Sequence, residues 1–174
     1  SGRKKALLIV DVQPAFINSR NGYIVKNIAH LIKTTPYNFY VTALFHAEKG
    51  SLWDKQQNWI CPQNDSFHAL PEMMDLLKDK RHILIEKTTK SIFKGHGNII
   101  QLLKKNNVQE LHLVGFDTND CVLASAYEAF DLGYLRKGKD LVVVSRLRLL
   151  TEAKAECLEI AKEGYSKPIQ RKDI

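Results

Sequence analysis

The sequence predicts an α/β fold built from βαβ units around a parallel sheet, and three observations carry that prediction. Short, wholly apolar runs recur along the chain. They alternate with stretches whose apolar residues fall at helical spacing, and segments rich in polar residues, glycine or proline separate the two kinds. The first run, Ala6-Leu7-Leu8-Ile9-Val10, is apolar at every position, as a strand covered on both faces must be. Residues 23–33 follow with Ile24, Ile28, Leu31 and Ile32 on one helical stripe. The second strand is read at 39–45, rich in aromatic and β-branched residues. From His46 to Pro71 no period is visible, and a long irregular excursion is expected, of the kind that forms lids or binding segments. A short helix at 71–78, a third strand at 82–86, a helix at 98–105 and a fourth strand at 110–115 come next. The small and apolar residues of 121–132 form a helix stopped by Gly133. A fifth strand at 141–144, a last helix at 151–162 and a short edge strand near Pro168-Ile169 complete a sheet of five or six strands.

With 174 residues, the chain suits one domain spanning 1–174. An apolar fraction of 44% with 26% charged residues is globular and excludes a disordered chain. No apolar run approaches the roughly 20 residues of a membrane span, so no membrane partner is expected. Cys61, Cys121 and Cys157 are too few and odd in number for a disulfide scaffold. Ser1 to Lys5 lack a secretory apolar stretch. Both observations point to a cytoplasmic protein. Lys and Arg total 26 against 19 acidic residues, giving a net charge of +7. The basic residues are scattered, with no aromatic-and-basic strip and no zinc-finger spacing, so a solvated basic surface is expected and nucleic acid is not.

In an open parallel sheet, ligands bind beyond the carboxyl ends of the strands. Three reactive side chains are expected there. Asp11 directly follows the first strand, Lys87 lies just past the third, and Cys121 sits after the fourth at a helix start. A cysteine attacks as the thiolate, which a helix N-terminus or a nearby cation favours. A carboxylate can take the thiol proton and pass it to a leaving amine. The turn from Gly115 to Asp120 can direct backbone N–H groups at a developing oxyanion. Together they make an acyl-transfer site. Taken one at a time, the same residues are a turn former, a solvated lysine and a small buried hydrophobe.

Three segments, Leu8 to Phe16, Lys87 to Phe93 and Val114 to Val122, also resemble the isochorismatase-like cysteine hydrolases. Leu8-Ile9-Val10-Asp11-Val12-Gln13-Pro14-Ala15-Phe16 is similar to the family's opening motif. Lys87-Thr88-Thr89-Lys90-Ser91-Ile92-Phe93 is similar to its lysine segment, and Val114 to Val122 with Ala124, Ala126 and Ala129 to its cysteine motif. The three occur in the family's order across residues 6 to 134. The resemblance implies a three-layer α/β/α sandwich of Rossmann type around a mostly parallel sheet, with Asp11, Lys87 and Cys121 as an Asp-Lys-Cys triad. Lys90 competes for the lysine role, and the spacing to Ser91 favours Lys87. A cis peptide at Phe116-Asp117 is implied in the turn before the cysteine, with the N–H groups of Asp117 and Cys121 as oxyanion donors.

The resemblance further implies hydrolysis of a small amide or related C–N bond through a thioester. Isochorismatase-type C–O hydrolysis is the alternative within the family, and a catalytically silent relative that binds a ligand or partner is the alternative outside enzyme chemistry. Phe16, Trp53 and Trp59 form either an aromatic wall for the substrate or packing for the long loop. After Tyr134 the pattern departs from the family. Arg146 or Arg148 holds an anionic substrate group there, or stays on the surface. Nicotinamidases, one branch of the family, hold a divalent metal through an Asp-x-His pair and a distant histidine. Here Ala43-Leu44-Phe45-His46 lacks the aspartate, so neither metal nor cofactor is expected. Family members commonly oligomerise, and a homo-oligomer is expected.

Overall fold

The computed structural model describes residues 4–95, 98–117 and 120–134. The strand expected at 141–144, the helix at 151–162, the edge strand near Ile169, and Arg146 and Arg148 all lie outside those residues.

Four strands are described: β1 (Lys5–Val10), β2 (Phe39–Phe45), β3 (His82–Lys87) and β4 (Glu110–Gly115). They form an all-parallel sheet in the order β3-β2-β1-β4. Parallel neighbours require crossovers, and the chain supplies helices for them. Helix α1 (Tyr23–Thr34) links β1 to β2, α2 (Leu52–Gln57) and α3 (Pro71–Leu77) lie between β2 and β3, α4 (Ile99–Lys105) precedes β4, and α5 (Cys121–Asp131) follows it.

Because side chains alternate along a strand, each strand feeds both sides of the sheet. Ala6, Leu8 and Val10 pack with Val41, Leu113, Leu103 and Ala126 beneath α4 and α5. Leu7 and Ile9 pack with Ile28, Leu31 and Leu77 beneath α1 and α3. The result is a three-layer α/β/α sandwich. Leu7, Leu8 and Ile9 are at most 1% exposed, and burial of each such side chain contributes about 1.5–3 kcal/mol. In α1 the buried stripe is Ile24, Val25, Ile28, Leu31 and Ile32, and the helix ends just before Pro36, which disfavours helix in the residue ahead of it. In α5 the buried positions Val122, Ser125, Ala126 and Ala129 are mostly small, which lets the helix lie close to the sheet.

The structure corrects two sequence expectations. The 46–71 excursion holds α2 and a 3-10 turn at Asp65–Phe67. Ser51 caps α2 by accepting from the Asp54 N–H, and Asp54 in turn accepts from the Gly50 N–H at 2.7 Å. A Ser-x-x-acid start signal was therefore present, and six residues are too short for a hydrophobic period to announce them. Strand β3 also runs one residue further than expected, so that Lys87 is its last residue, paired with Phe45.

Strand β1 lies between β2 and β4, so the chain leaves it first to one side and later to the other. The crevice between the carboxyl ends of β1 and β4 is the topological switch point of the sheet. Gly115 makes that crevice narrow. Its φ is +122°, and a Cβ there would stand 1.9 Å from the Val10 carbonyl oxygen. The next amide, Phe116 N–H, donates to that same oxygen at 2.9 Å. Gly115→Ala is therefore expected to cost at least about 3 kcal/mol in denaturant unfolding, through both the collision and the backbone conformation. A loss below about 1 kcal/mol would show that the close approach is dispensable.

Candidate active site

Asp11 turns out of β1 at φ +54°, a left-handed conformation that aspartate tolerates better than most residues. Its N–H donates to the Ala43 carbonyl at 3.0 Å, which keeps the turn fixed to β2. The side chain is 1% exposed. Lys87 reaches it from β3, continuing the parity of Ile83 and Ile85 on the α4/α5 side of the sheet, and is wholly buried. Its Nζ lies 3.1 Å from both carboxylate oxygens of Asp11 and donates to the Thr89 carbonyl at 2.8 Å. The Phe45 ring faces the same ammonium with its centroid 5.5 Å away. A buried lysine is costly to desolvate, and here a carboxylate, a carbonyl and an aromatic face share the compensation.

Cys121 opens α5 from the third direction, half-buried, with its thiol against the Asp11 carboxylate. Asp11 Oδ1 accepts no well-aligned hydrogen bond among the described residues, so the carboxylate keeps acceptor capacity beside the thiol. The Phe116–Asp117 peptide bond is cis. The Asp117 carbonyl accepts from the N–H groups of Asp120 and Val122, which closes the turn over the start of the helix.

Burial pushes the Asp11 carboxyl up to about 6, against the opposing pull of the Lys87 ammonium and the Cys121 thiol. The Cys121 thiol is pushed up to about 12, first by burial and then by the negative charge of Asp11, with Lys87 acting in the opposite direction. Near neutrality Asp11 is thus a carboxylate and Cys121 a thiol. Passing the thiol proton to Asp11 leaves the net charge of the site unchanged, because the ammonium then accompanies the thiolate in place of the carboxylate.

Two hydroxyls lock the lysine segment to the cysteine helix. The Ser125 hydroxyl, fully buried, donates to the Cys121 carbonyl at 2.7 Å and accepts from the Ile92 N–H at 3.0 Å. Ser91 donates to Glu128 at 3.0 Å. Lys90, the competing lysine, pairs with Asp120 instead of Asp11.

The structure brings Phe16, Trp53 and Trp59 into one aromatic cluster with Phe45 and Phe67. Phe45 is central, with ring centroids 6.2 Å from Phe16, 5.4 Å from Trp53 and 6.3 Å from Trp59. Phe67 closes the ring of contacts at 5.6 Å from Phe16 and 5.9 Å from Trp59. Since Phe45 also faces the Lys87 ammonium, the cluster abuts the polar site. Gln13, fully buried, anchors it: the carboxamide donates to the carbonyls of Phe45 and Phe67 and accepts from the Phe45 N–H at 2.8 Å. Sequence reasoning missed Gln13, Phe45 and Phe67. The available signal was a glutamine two residues past Asp11, in a segment otherwise made of apolar residues and proline.

An isochorismatase domain matches residues 5–147 of this sequence. The chain belongs to the isochorismatase family. A relative from Bacillus subtilis, the uncharacterised isochorismatase family protein YrdC, is 28% identical over 137 residues, which cover 75% of this chain and 68% of the relative. Among solved structures, the pyrazinamidase/nicotinamidase of Streptococcus mutans aligns at a TM-score of 0.65 with 21% identity, over 75% of this chain and 82% of the other. The N-carbamoylsarcosine amidase of Thermoplasma acidophilum aligns at 0.64 with 18% identity, over 85% and 94%. These two share the fold of the isochorismatase-family chain described here.

The metal pattern of the nicotinamidase branch does not fit this isochorismatase-family chain. Leu44, a buried strand residue, stands where the first aspartate would be. His68 is exposed and lies 3.5 Å from Asp65 on the same turn. Among the described residues no group of three or more His, Cys, Asp or Glu side chains is placed to hold a metal ion, and no helix is long and apolar enough to cross a membrane.

Proposed function

We propose that this isochorismatase-family protein is a cysteine hydrolase of small amides or related C–N bonds, with Asp11, Lys87 and Cys121 as its catalytic residues. The observation that carries the reading is the fully buried Lys87 ammonium, 3.1 Å from a buried carboxylate that itself touches a thiol at a helix start. A buried ion pair beside a titratable sulfur adds little to stability compared with apolar packing, but it is what a proton-transfer step requires.

Asp11 takes the proton from the Cys121 thiol, and the sulfur forms a bond to the substrate carbonyl carbon. The N–H groups of Asp117 and Cys121 hold the resulting oxyanion. The C–N bond then breaks as Asp11 returns its proton to the leaving nitrogen, releasing ammonia or an amine and leaving a thioester on Cys121. Water, deprotonated by Asp11, attacks the thioester, and the proton it loses goes to the departing sulfur. Lys87, 3.1 Å from Asp11, pairs with whichever neighbour is anionic. Phe16, Trp53 and Trp59 supply the apolar wall against which a small planar substrate lies. The partner is thus a small molecule, and no cofactor enters these steps.

Turnover of a panel of small primary amides and ureas, quenched in acid and read by peptide mass, tests the mechanism. The expected result is an acyl adduct on the peptide holding Cys121, absent in Cys121→Ala along with hydrolysis. Hydrolysis that persists in Cys121→Ala overturns the nucleophile assignment.

A further inference from the structure

Lys90 and Asp120 form an ion pair that joins the segment after β3 to the start of α5. Nζ lies 2.8 and 2.9 Å from the two carboxylate oxygens, and both side chains are about half exposed. One member comes from the segment after β3 and the other is the N-cap residue of α5. Lys90 is also held from behind. Its ammonium sits 5.2 Å from the centre of the Trp53 ring, and the Trp53 indole N–H donates to the Thr88 carbonyl at 2.7 Å.

An aspartate at an N-cap ordinarily turns back to accept from the second or third N–H of its helix. Asp120 makes no such bond. Its carboxylate is drawn outward onto Lys90. The residue after it is Cys121, so a carboxylate folded back onto the helix start would lie beside the sulfur and satisfy the N–H groups that otherwise favour negative charge there.

On the cysteine-hydrolase reading above, we propose that Lys90 is a positioning residue that acts through Asp120, holding its carboxylate off the helix start so that the positive end of α5 is left to the Cys121 sulfur. Among the described residues, Asp11 and Lys87 are the other charged groups that act on that sulfur. Asp11 is the base and Lys87 its counter-ion. Glu128, one face further along α5, is occupied by Ser91 and lies 3.9 Å from Lys94. Asp120 adds to burial and Asp11 in raising the thiol, and its carboxylate is the one held by Lys90.

Iodoacetamide labelling of the full chain, resolved to Cys121 by peptide mass, tests this between pH 7 and 9 alongside thermal melting. In Lys90→Met the labelling rate is expected to fall about three- to tenfold, equivalent to an upward displacement of about half to one pH unit. The melting temperature is expected to hold or rise by a few degrees, since the freed Asp120 now caps α5. Lys90→Arg keeps the parent rate, and Asp120→Ala added to Lys90→Met, which removes both the charge and the cap, returns it. With a substrate in hand, Lys90→Met lowers kcat and leaves KM within about twofold. A parent-like labelling rate in Lys90→Met, or a loss that Asp120→Ala does not reverse, overturns the proposal and leaves the hydrolase reading standing. Hydrolysis retained by Cys121→Ala removes that reading on its own.

Discussion

Asp11→Asn is expected to lower kcat/KM for any amide the protein hydrolyses by about a thousandfold, and to abolish the acid limb of its pH profile. On the proposed mechanism Asp11 must be ionised to take the thiol proton, and burial raises its carboxyl to about 6. In the parent protein kcat/KM therefore falls as pH drops through about 6, tenfold per unit at the lower end. Above that point the profile is flat to at least pH 9, because the thiol stays protonated up to about 12 and its ionisation introduces no new limb. The amide of asparagine offers no titrating base, so its residual rate follows hydroxide alone. A variant retaining more than a tenth of parental activity, or keeping the limb near 6, would remove Asp11 from the mechanism.

Lys87→Met has the largest expected effect on the fold as well as on turnover. Removing one member of a buried ion pair leaves its partner charged and unsolvated, which costs about 3–5 kcal/mol. The pH dependence follows from linkage. The folded-state carboxyl of Asp11 is already raised from 3.8 to about 6, and without the ammonium it rises further. Such a group contributes stability that is complete below its unfolded value and is lost as pH rises through its folded value. The variant should thus lie close to the parent in denaturant melts at pH 4 and fall furthest behind at pH 8, with hydrolysis undetectable at both. An equal deficit at all pH values would mean that Lys87 acts by packing rather than charge.

The fold was legible where burial imposes a period. The unbroken apolar run of β1 announced a strand covered on both faces, and the 24, 28, 31, 32 stripe announced α1. The candidate site was legible for a different reason: Asp11, Lys87 and Cys121 each follow an apolar run, and the geometry of parallel sheets sends every such position to one edge. What escaped were features with no one-dimensional period. Helix α2 spans less than two turns. Gln13 matters through carbonyls 32 and 54 residues away, and Phe45 reads simply as the end of a strand. The Lys90–Asp120 pair joins residues 30 apart. In each of these cases the informative neighbour is set by the fold and not by spacing.

One carboxamide, that of Gln13, grips both Phe45, the last residue of β2, and the turn at Phe67, whose rings pack against Phe16 and Trp59. The backbone that carries the Phe45 and Phe67 rings is consequently fixed when the polypeptide collapses. On the proposed reading, a substrate lying against those two rings meets a backbone already set in place, so less of its affinity is consumed in ordering the host.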